Sequence, residues 1–246
     1  MAQIITLAIQ KGGTAKTTTA AALAGAAVYR GQKVLAIDLD PQGQFSFTLQ
    51  ADTSKPGSYE LLNGKPAAGL IQHIRDGLDV IPASWNLSTI TGGKGSARRL
   101  QRAIQPIKDN YSMIVIDTPP TAGELQYNAL QAATGLVIPL QADIYDLQSL
   151  YQITDTARQI MKSNPALSIT GIVITRYDGR SGIAKKMRET IMQQAAGMGI
   201  PYLGTIRQGV AIREAAAFQQ SLFDYAPRSN PAQDYLALYE TITQEG

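Results

Sequence analysis

The stretch Gln10-Lys11-Gly12-Gly13-Thr14-Ala15-Lys16-Thr17-Thr18 decides how this 246-residue chain is read. An apolar run, residues 4–9, leads into it, and an Ala-rich run, residues 18–30, follows it. Strand, glycine-rich turn, Lys-Thr and helix is the order that cradles nucleotide phosphates. Gly12 and Gly13 let successive backbone N–H groups converge on anionic oxygens. The helix start adds its partial positive charge. This pattern assigns Lys16 to the β- and γ-phosphates and the Thr17 hydroxyl to Mg²⁺, with Thr14, Ala15 and Thr18 completing the cradle. Two positions are unusual. A second lysine, Lys11, opens the loop, and Ala15 stands where the general pattern has glycine.

Outward from the loop, apolar runs alternate with helical patterns. Strands are expected at 4–9, 33–38, 78–81, 113–117, 135–140, 168–175 and 202–205. Several are unbroken Val/Ile/Leu runs, the mark of parallel strands buried on both faces. Helices are expected at 18–30, 96–110, 124–133, 144–163, 182–196, 210–218 and 231–244, with Gly31 at a C-cap position. Residues 52–68 read as a loop and short helix at one edge. Gly92, Gly93 and Gly95 mark a turn leading into Arg98, Arg99 and Arg102. The alternation predicts a doubly wound α/β fold, with a mostly parallel sheet flanked by helices, formed by one domain over residues 1–246.

Ligands of an open α/β sheet bind at the carboxyl ends of its strands, and three further segments fall there. Asp38 and Asp40 close the second strand, spaced to hold a metal-linked water and to polarise an attacking one. Asp117 ends a fully apolar strand, the usual position of a second Mg²⁺ anchor in P-loop enzymes. Pro119 and Pro120 stiffen the chain beyond that strand, with Gly123 as a hinge. Thr175 and Arg176 end a third strand, where they could line the base or ribose. Asp-Pro at 40–41 is also ordinary turn chemistry.

Composition narrows the chemistry. The chain is 44% hydrophobic and 17% charged, as a packed globular protein requires. It has no cysteine, which excludes disulfides, thiolate metal sites and iron–sulfur clusters. One histidine, His73, excludes a His-based metal cluster or triad. It reads as an exposed residue of a polar helical stretch, and Trp85 as a local packing anchor. No signal peptide is read at the N-terminus, and no apolar run approaches the roughly 18–20 residues of a spanning helix. The net charge of +3 permits contact with nucleic acid or anionic lipid without demanding it.

Taken together, the loop at 11–18, Asp38–Gly43, Asp117–Pro120, Ile138–Leu150, Thr175–Ser181 and Phe223–Tyr235 resemble the ParA/MinD family of deviant Walker ATPases. The resemblance spans nearly the whole chain and is closest to the small ParA/Soj-type partition proteins, without the N-terminal helix-turn-helix extension of larger relatives. Lys11 matches the family's signature lysine. The resemblance implies an ATP- and Mg²⁺-dependent homodimer, with ADP as product, in which Lys11 reaches the phosphates of the other subunit. Asp40 would orient the attacking water, and Lys16, Thr17 and Asp117 would hold phosphates and metal, with Asp38 as a further metal-site residue. The ATP dimer would bind DNA without sequence preference. A ParB-like centromere-binding protein would stimulate hydrolysis and release it. The implied place is the cytoplasm, on the nucleoid.

The chain departs from the family at two points. Ala15 replaces a loop glycine, which implies retained nucleotide binding with altered affinity. Ile206-Arg207-Gln208 replaces an Ile-Pro-Arg stretch beside the adenine. DNA candidates are Lys185, Lys186, Arg188, Arg207, Arg213 and Arg228, interspersed with acids, and a run such as 185–188 also reads as a solvated helix face. A positioning ATPase for a cargo other than DNA would use the same engine. A MinD-like membrane positioner ends in a basic amphipathic helix, whereas this tail carries no Lys or Arg after Arg228 and is expected to pack on the core.

Overall fold

The computed structural model describes residues 2–93 and 95–244. Its strands are β1 (Gln3–Leu7), β2 (Val34–Asp38), β3 (Gln72–Arg75), β4 (Leu78–Ile81), β5 (Met113–Asp117), β6 (Gly135–Gln141), β7 (Ser168–Tyr177) and β8 (Tyr202–Arg207). They form one sheet in the order β3-β4-β2-β5-β1-β6-β7-β8. Every neighbouring pair is parallel except β3 with β4. All seven expected strands are present. The antiparallel edge strand β3 is additional, and it carries His73, so the helical reading of that stretch is corrected. An edge strand needs pairing on one side only, and Gln72-His73-Ile74-Arg75 lacks the apolar run that marks a central strand.

The helices are α1 (Lys16–Tyr29), α2 (Gln44–Thr48), α3 (Ser58–Leu62), α4 (Arg99–Ile104), α5 (Glu124–Ala132), α6 (Ile144–Met161), α7 (Gly182–Gly197), α8 (Val210–Ala217), α9 (Leu222–Tyr225) and α10 (Asn230–Gln244). The expected helix at 96–110 is divided. Gly95 enters it in the left-handed region at φ 77°, and Pro106 lacks the N–H that continuing α4 would need. Short 3-10 turns at Ser96–Arg98 and Lys108–Asn110 stand on either side.

Strand alternation divides the core between the two sheet faces. Leu35, Ile37, Ile114, Ile116, Leu136 and Ile138 point to one face, where α3 to α7 pack. Val34, Ala36, Met113, Val115 and Val137 point to the other, beneath α1, α8, α9 and α10. Alanines 20, 24, 26 and 27 let α1 lie close on the sheet and are fully buried. The apolar stripe of α10, with Tyr235, Leu238 and Ile242, is buried in this second layer. The tail therefore packs on the core, as expected. Trp85 does not: it is 69% exposed, while Leu87 two residues on is the buried member of its turn.

Gly57 starts α3 at φ −153°, ψ −133°, and a Cβ there would lie 2.1 Å from the Pro82 carbonyl oxygen. Backbone cannot yield as a side chain does, so Gly57→Ala is expected to cost about 3 kcal/mol, the upper end of overpacking. Urea unfolding checks this, and a loss under about 1 kcal/mol would contradict the packing described.

Candidate active site

The chain reverses its direction of travel across the sheet at β1, which lies between β5 and β6. That is the switch point where open α/β sheets leave a crevice at their carboxyl ends, and the loop at 10–15 fills it. Gly13 takes φ 80°, a turn that glycine enters without strain. Ala15 is the N-cap of α1 and is also left-handed, at φ 63°, ψ 30°. The missing glycine therefore falls at a position where glycine would be easier. A left-handed alanine carries roughly 1–2 kcal/mol of strain. Lys16 is buried, and its Nζ folds back to donate to the Lys11 carbonyl oxygen at 3.2 Å. Burial lowers its pKa, against the opposing pull of Asp117 and Asp40.

Two carboxylates stand beside it on neighbouring strands. Asp38 and Asp117 are register partners at the ends of β2 and β5, and both are fully buried. Thr17 Oγ1 donates to Asp117 Oδ2 at 2.7 Å. Asp117 Oδ1 has no partner among the described residues, nor has the buried Thr14 hydroxyl. Burial raises the Asp117 pKa well above the usual carboxylate range, and the Asp38 charge adds to it. Asp38 Oδ2 accepts from the Ser46 N–H at 2.8 Å and the Ser46 hydroxyl at 2.7 Å. Its Oδ1 accepts from the Asp40 N–H at 3.0 Å. Both Asp38 oxygens thus accept hydrogen bonds that fix the turn carrying Asp40. Burial still pushes its pKa up to about 6. Asp40 is half-buried, with Oδ1 accepting from the Gln42 N–H at 3.0 Å.

Lys11 points elsewhere. Its Nζ is held by Asp146, at the start of α6, and lies 3.4 Å from Asp143 Oδ2. Desolvation works against its charge, but the bond and charge of Asp146 outweigh it, so the net pKa is raised. Asp146 is itself fully buried and also accepts from the Gln141 N–H. Sequence reasoning assigned no role to Asp143, Asp146 or Ser46. The first two lie in a segment noted only for its resemblance, and Ser46 carried no signal.

The remaining residues are distributed unevenly. The Thr175 hydroxyl is buried behind the loop and donates toward the Thr14 and Leu140 carbonyl oxygens at 3.0 and 3.1 Å. It buttresses the loop. Arg176 is exposed and left-handed at φ 51°. Arg207 is clamped to Asp234, with Nη2 2.7 Å from Oδ1 and Nε 2.9 Å from Oδ2. Arg188 lies over the Tyr177 ring, 5.1 Å from its centroid. Of the basic candidates, α7 carries Lys185, Lys186 and Arg188 on one sheet face, while Arg213 on α8 and Arg228 before α10 belong to the other side. They do not form one cluster within a chain.

Among the described residues, no group of three or more His, Cys, Asp or Glu could hold a metal by itself. Mg²⁺ needs no such cage, since it is usually held by one or two protein oxygens plus water and substrate phosphates. The Thr17 hydroxyl and the unpartnered Asp117 oxygen fit that requirement.

Loop, helix start and paired carboxylates define a P-loop nucleotide hydrolase. The AAA domain family matches residues 2–169. The chain is 36% identical to the chromosome-partitioning ATPase Soj of Thermus thermophilus, over 97% of this chain and 94% of that one. It is 33% identical to the chromosome partitioning protein ParA of Caulobacter vibrioides, over 99% and 95%. Among solved structures, cobyrinic acid a,c-diamide synthase of Mycobacterium smegmatis, with bound ATP analogue and magnesium, superposes with a TM-score of 0.84 at 26% identity. The match covers 100% of this chain and 96% of that one. The chain belongs to the ParA/Soj family of P-loop ATPases.

Two outcomes are expected. Ala15→Gly relieves the left-handed alanine at the cost of a more flexible unfolded chain, a net gain of about 0.5–1 kcal/mol. Thermal unfolding should show it as a raised Tm, and a lowered one would refute it. Asp38 has a folded pKa raised above its unfolded value. Its stabilising share is therefore complete below about pH 4 and lost as pH rises through about 6. That share is about 3 kcal/mol. NMR titration of the Asp38 carboxyl carbon in the nucleotide-free protein should give a midpoint near 6, and an ordinary midpoint near 4 would refute it.

Proposed function

We propose that this chain is a DNA partition ATPase that works as an ATP-driven dimer. The observation carrying the reading is the division of labour between its two loop lysines. Lys16 lies over its own loop. Lys11, half-buried, turns to carboxylates at the start of α6. A lysine held there by Asp143 and Asp146 is spared from its own phosphates and is available to those of a second subunit. The strongly anionic phosphates of a loaded partner would compete for it, linking nucleotide binding to pairing.

Within one site, Lys16 and the loop N–H groups hold the β- and γ-phosphates. Thr17 and Asp117 hold Mg²⁺, which when bound neutralises charge on the phosphate oxygens. Asp38 anchors the turn, and Asp40 receives and orients the attacking water. Loss of the γ-phosphate removes the group that Lys11 bridges, and the subunits part. The dimer binds DNA through exposed cations such as Lys185, Lys186, Arg213 and Arg228. A ParB-like centromere-binding protein stimulates hydrolysis. Among the described residues no helix is long and apolar enough to cross a membrane, and the tail's apolar stripe is occupied by the core.

Lys11→Ala is expected to abolish the ATP dimer. Asp40→Ala should retain it, slow hydrolysis by about 10²-fold or more, and hold the protein on DNA. Light scattering after size exclusion, with ADP and with ATP, and DNA binding in the same conditions check both. A Lys11→Ala protein that still dimerises and binds DNA normally refutes the reading.

A further inference from the structure

A second set of cations lies at the opposite end of the sheet from α7. The turn after α3 faces α4 across a groove of about 660 Å³. Lys65, Arg99 and Arg102 line it, above a floor that includes Leu61, Ala103 and Ile107. No Asp or Glu lines this groove among the described residues. From Gly92 to Ile107 the sequence carries four Lys or Arg and no acid.

Some surface cations elsewhere are met by a carboxylate. Arg30 meets Glu240, Arg75 meets Asp224, Arg180 meets Asp178 and Arg207 meets Asp234. Lys65, Arg99 and Arg102 take part in no ion pair among the described residues. The hydrogen bond found for these three side chains is Arg102 Nη2 to the Gly95 carbonyl at 3.3 Å, which leaves donors for a ligand. Three like charges around one groove repel unless an anion joins them. A solvated face would be expected to mix signs as the paired sites do. Moreover, α4 packs in the same core layer as α7, so the groove and Lys185 and Lys186 are on one face of the sheet.

We infer that the α3–α4 groove is a second contact for the phosphate backbone of double-stranded DNA, made by Lys65, Arg99 and Arg102. The inference rests on the partition reading above and extends it to a surface at the other end of the sheet. Phosphate contacts have a measurable signature, because each one released lowers the salt dependence of binding by about 0.9 in log K against log salt.

The test measures binding of a short random-sequence duplex with ATP, between about 50 and 200 mM salt. The triple variant Lys65→Gln, Arg99→Gln, Arg102→Gln should show a slope shallower by about 2 to 3, with ATP dimerisation and unstimulated hydrolysis unchanged. The charge-retaining variant Lys65→Arg, Arg99→Lys, Arg102→Lys should restore the slope. Should the triple variant not fold, the exposed Lys65→Gln alone should lower it by about 0.9. An unchanged slope in a protein that binds the duplex overturns this inference and leaves the partition reading standing; the groove is then a solvated face or a seat for an acidic protein segment. If the unmodified protein binds no duplex with ATP, the partition reading fails and takes this inference with it.

Discussion

Two carboxylates and a lysine buried together at the switch point set the terms for the rest of this structure. Asp38 and Asp117 end neighbouring strands. At the ~4.8 Å spacing of adjacent strands, two full negative charges repel by about 3 kcal/mol at an effective dielectric near 20. The fold tolerates this because each carboxylate has its own relief. Asp38 is solvated by Ser46 and the Asp40 N–H, and Asp117 by Thr17, with Lys16 nearby. The relief is incomplete, since burial raises both pKa values. A cation beside Asp117 would complete it. The electrostatics that burden the isolated chain are thus those that favour a metal-bound nucleotide.

Much of this was legible because phosphate binding needs a fixed local order. A strand must deliver the loop, glycine must turn it, and a helix must start on the Lys-Thr. The seven expected strands are also visible because burial on both faces demands unbroken apolar runs. What stayed hidden depends on contacts distant in sequence. β3 is half-polar and exists through its pairing with β4. Ser46 is one serine among several until the fold brings it to Asp38. Trp85 reads as a local packing anchor by its apolar area alone, yet Leu87 is the buried member of its turn.

The loop's two anomalies arise at different levels of structure. Ala15 is a local matter, a left-handed residue with a Cβ at the cap of α1. The surrounding structure holds it there: the Thr19 N–H donates to the Ala15 carbonyl, and the Thr175 hydroxyl braces the adjacent Thr14. Lys11 is a tertiary matter, since its direction is set by α6, more than 130 residues away in sequence. One could be suspected from the motif alone, while the other needed the fold to show where the side chain goes.

Charge placement follows the same logic across the surface. Some cations serve the fold by meeting a carboxylate, as at Arg207 with Asp234, which ties the end of β8 to α10. That clamp also explains why the C-terminal basic residues named from sequence are unequal. Arg207 and Arg188 are committed to Asp234 and the Tyr177 ring, whereas Lys185, Lys186, Arg213 and Arg228 remain exposed without ion pairs among the described residues. Counting basic residues along the chain therefore misjudges the surface available to a polyanion. The unpaired cations are the ones that can exchange small counterions for phosphates, and the fold distributes them over both faces of the sheet rather than to a single cluster.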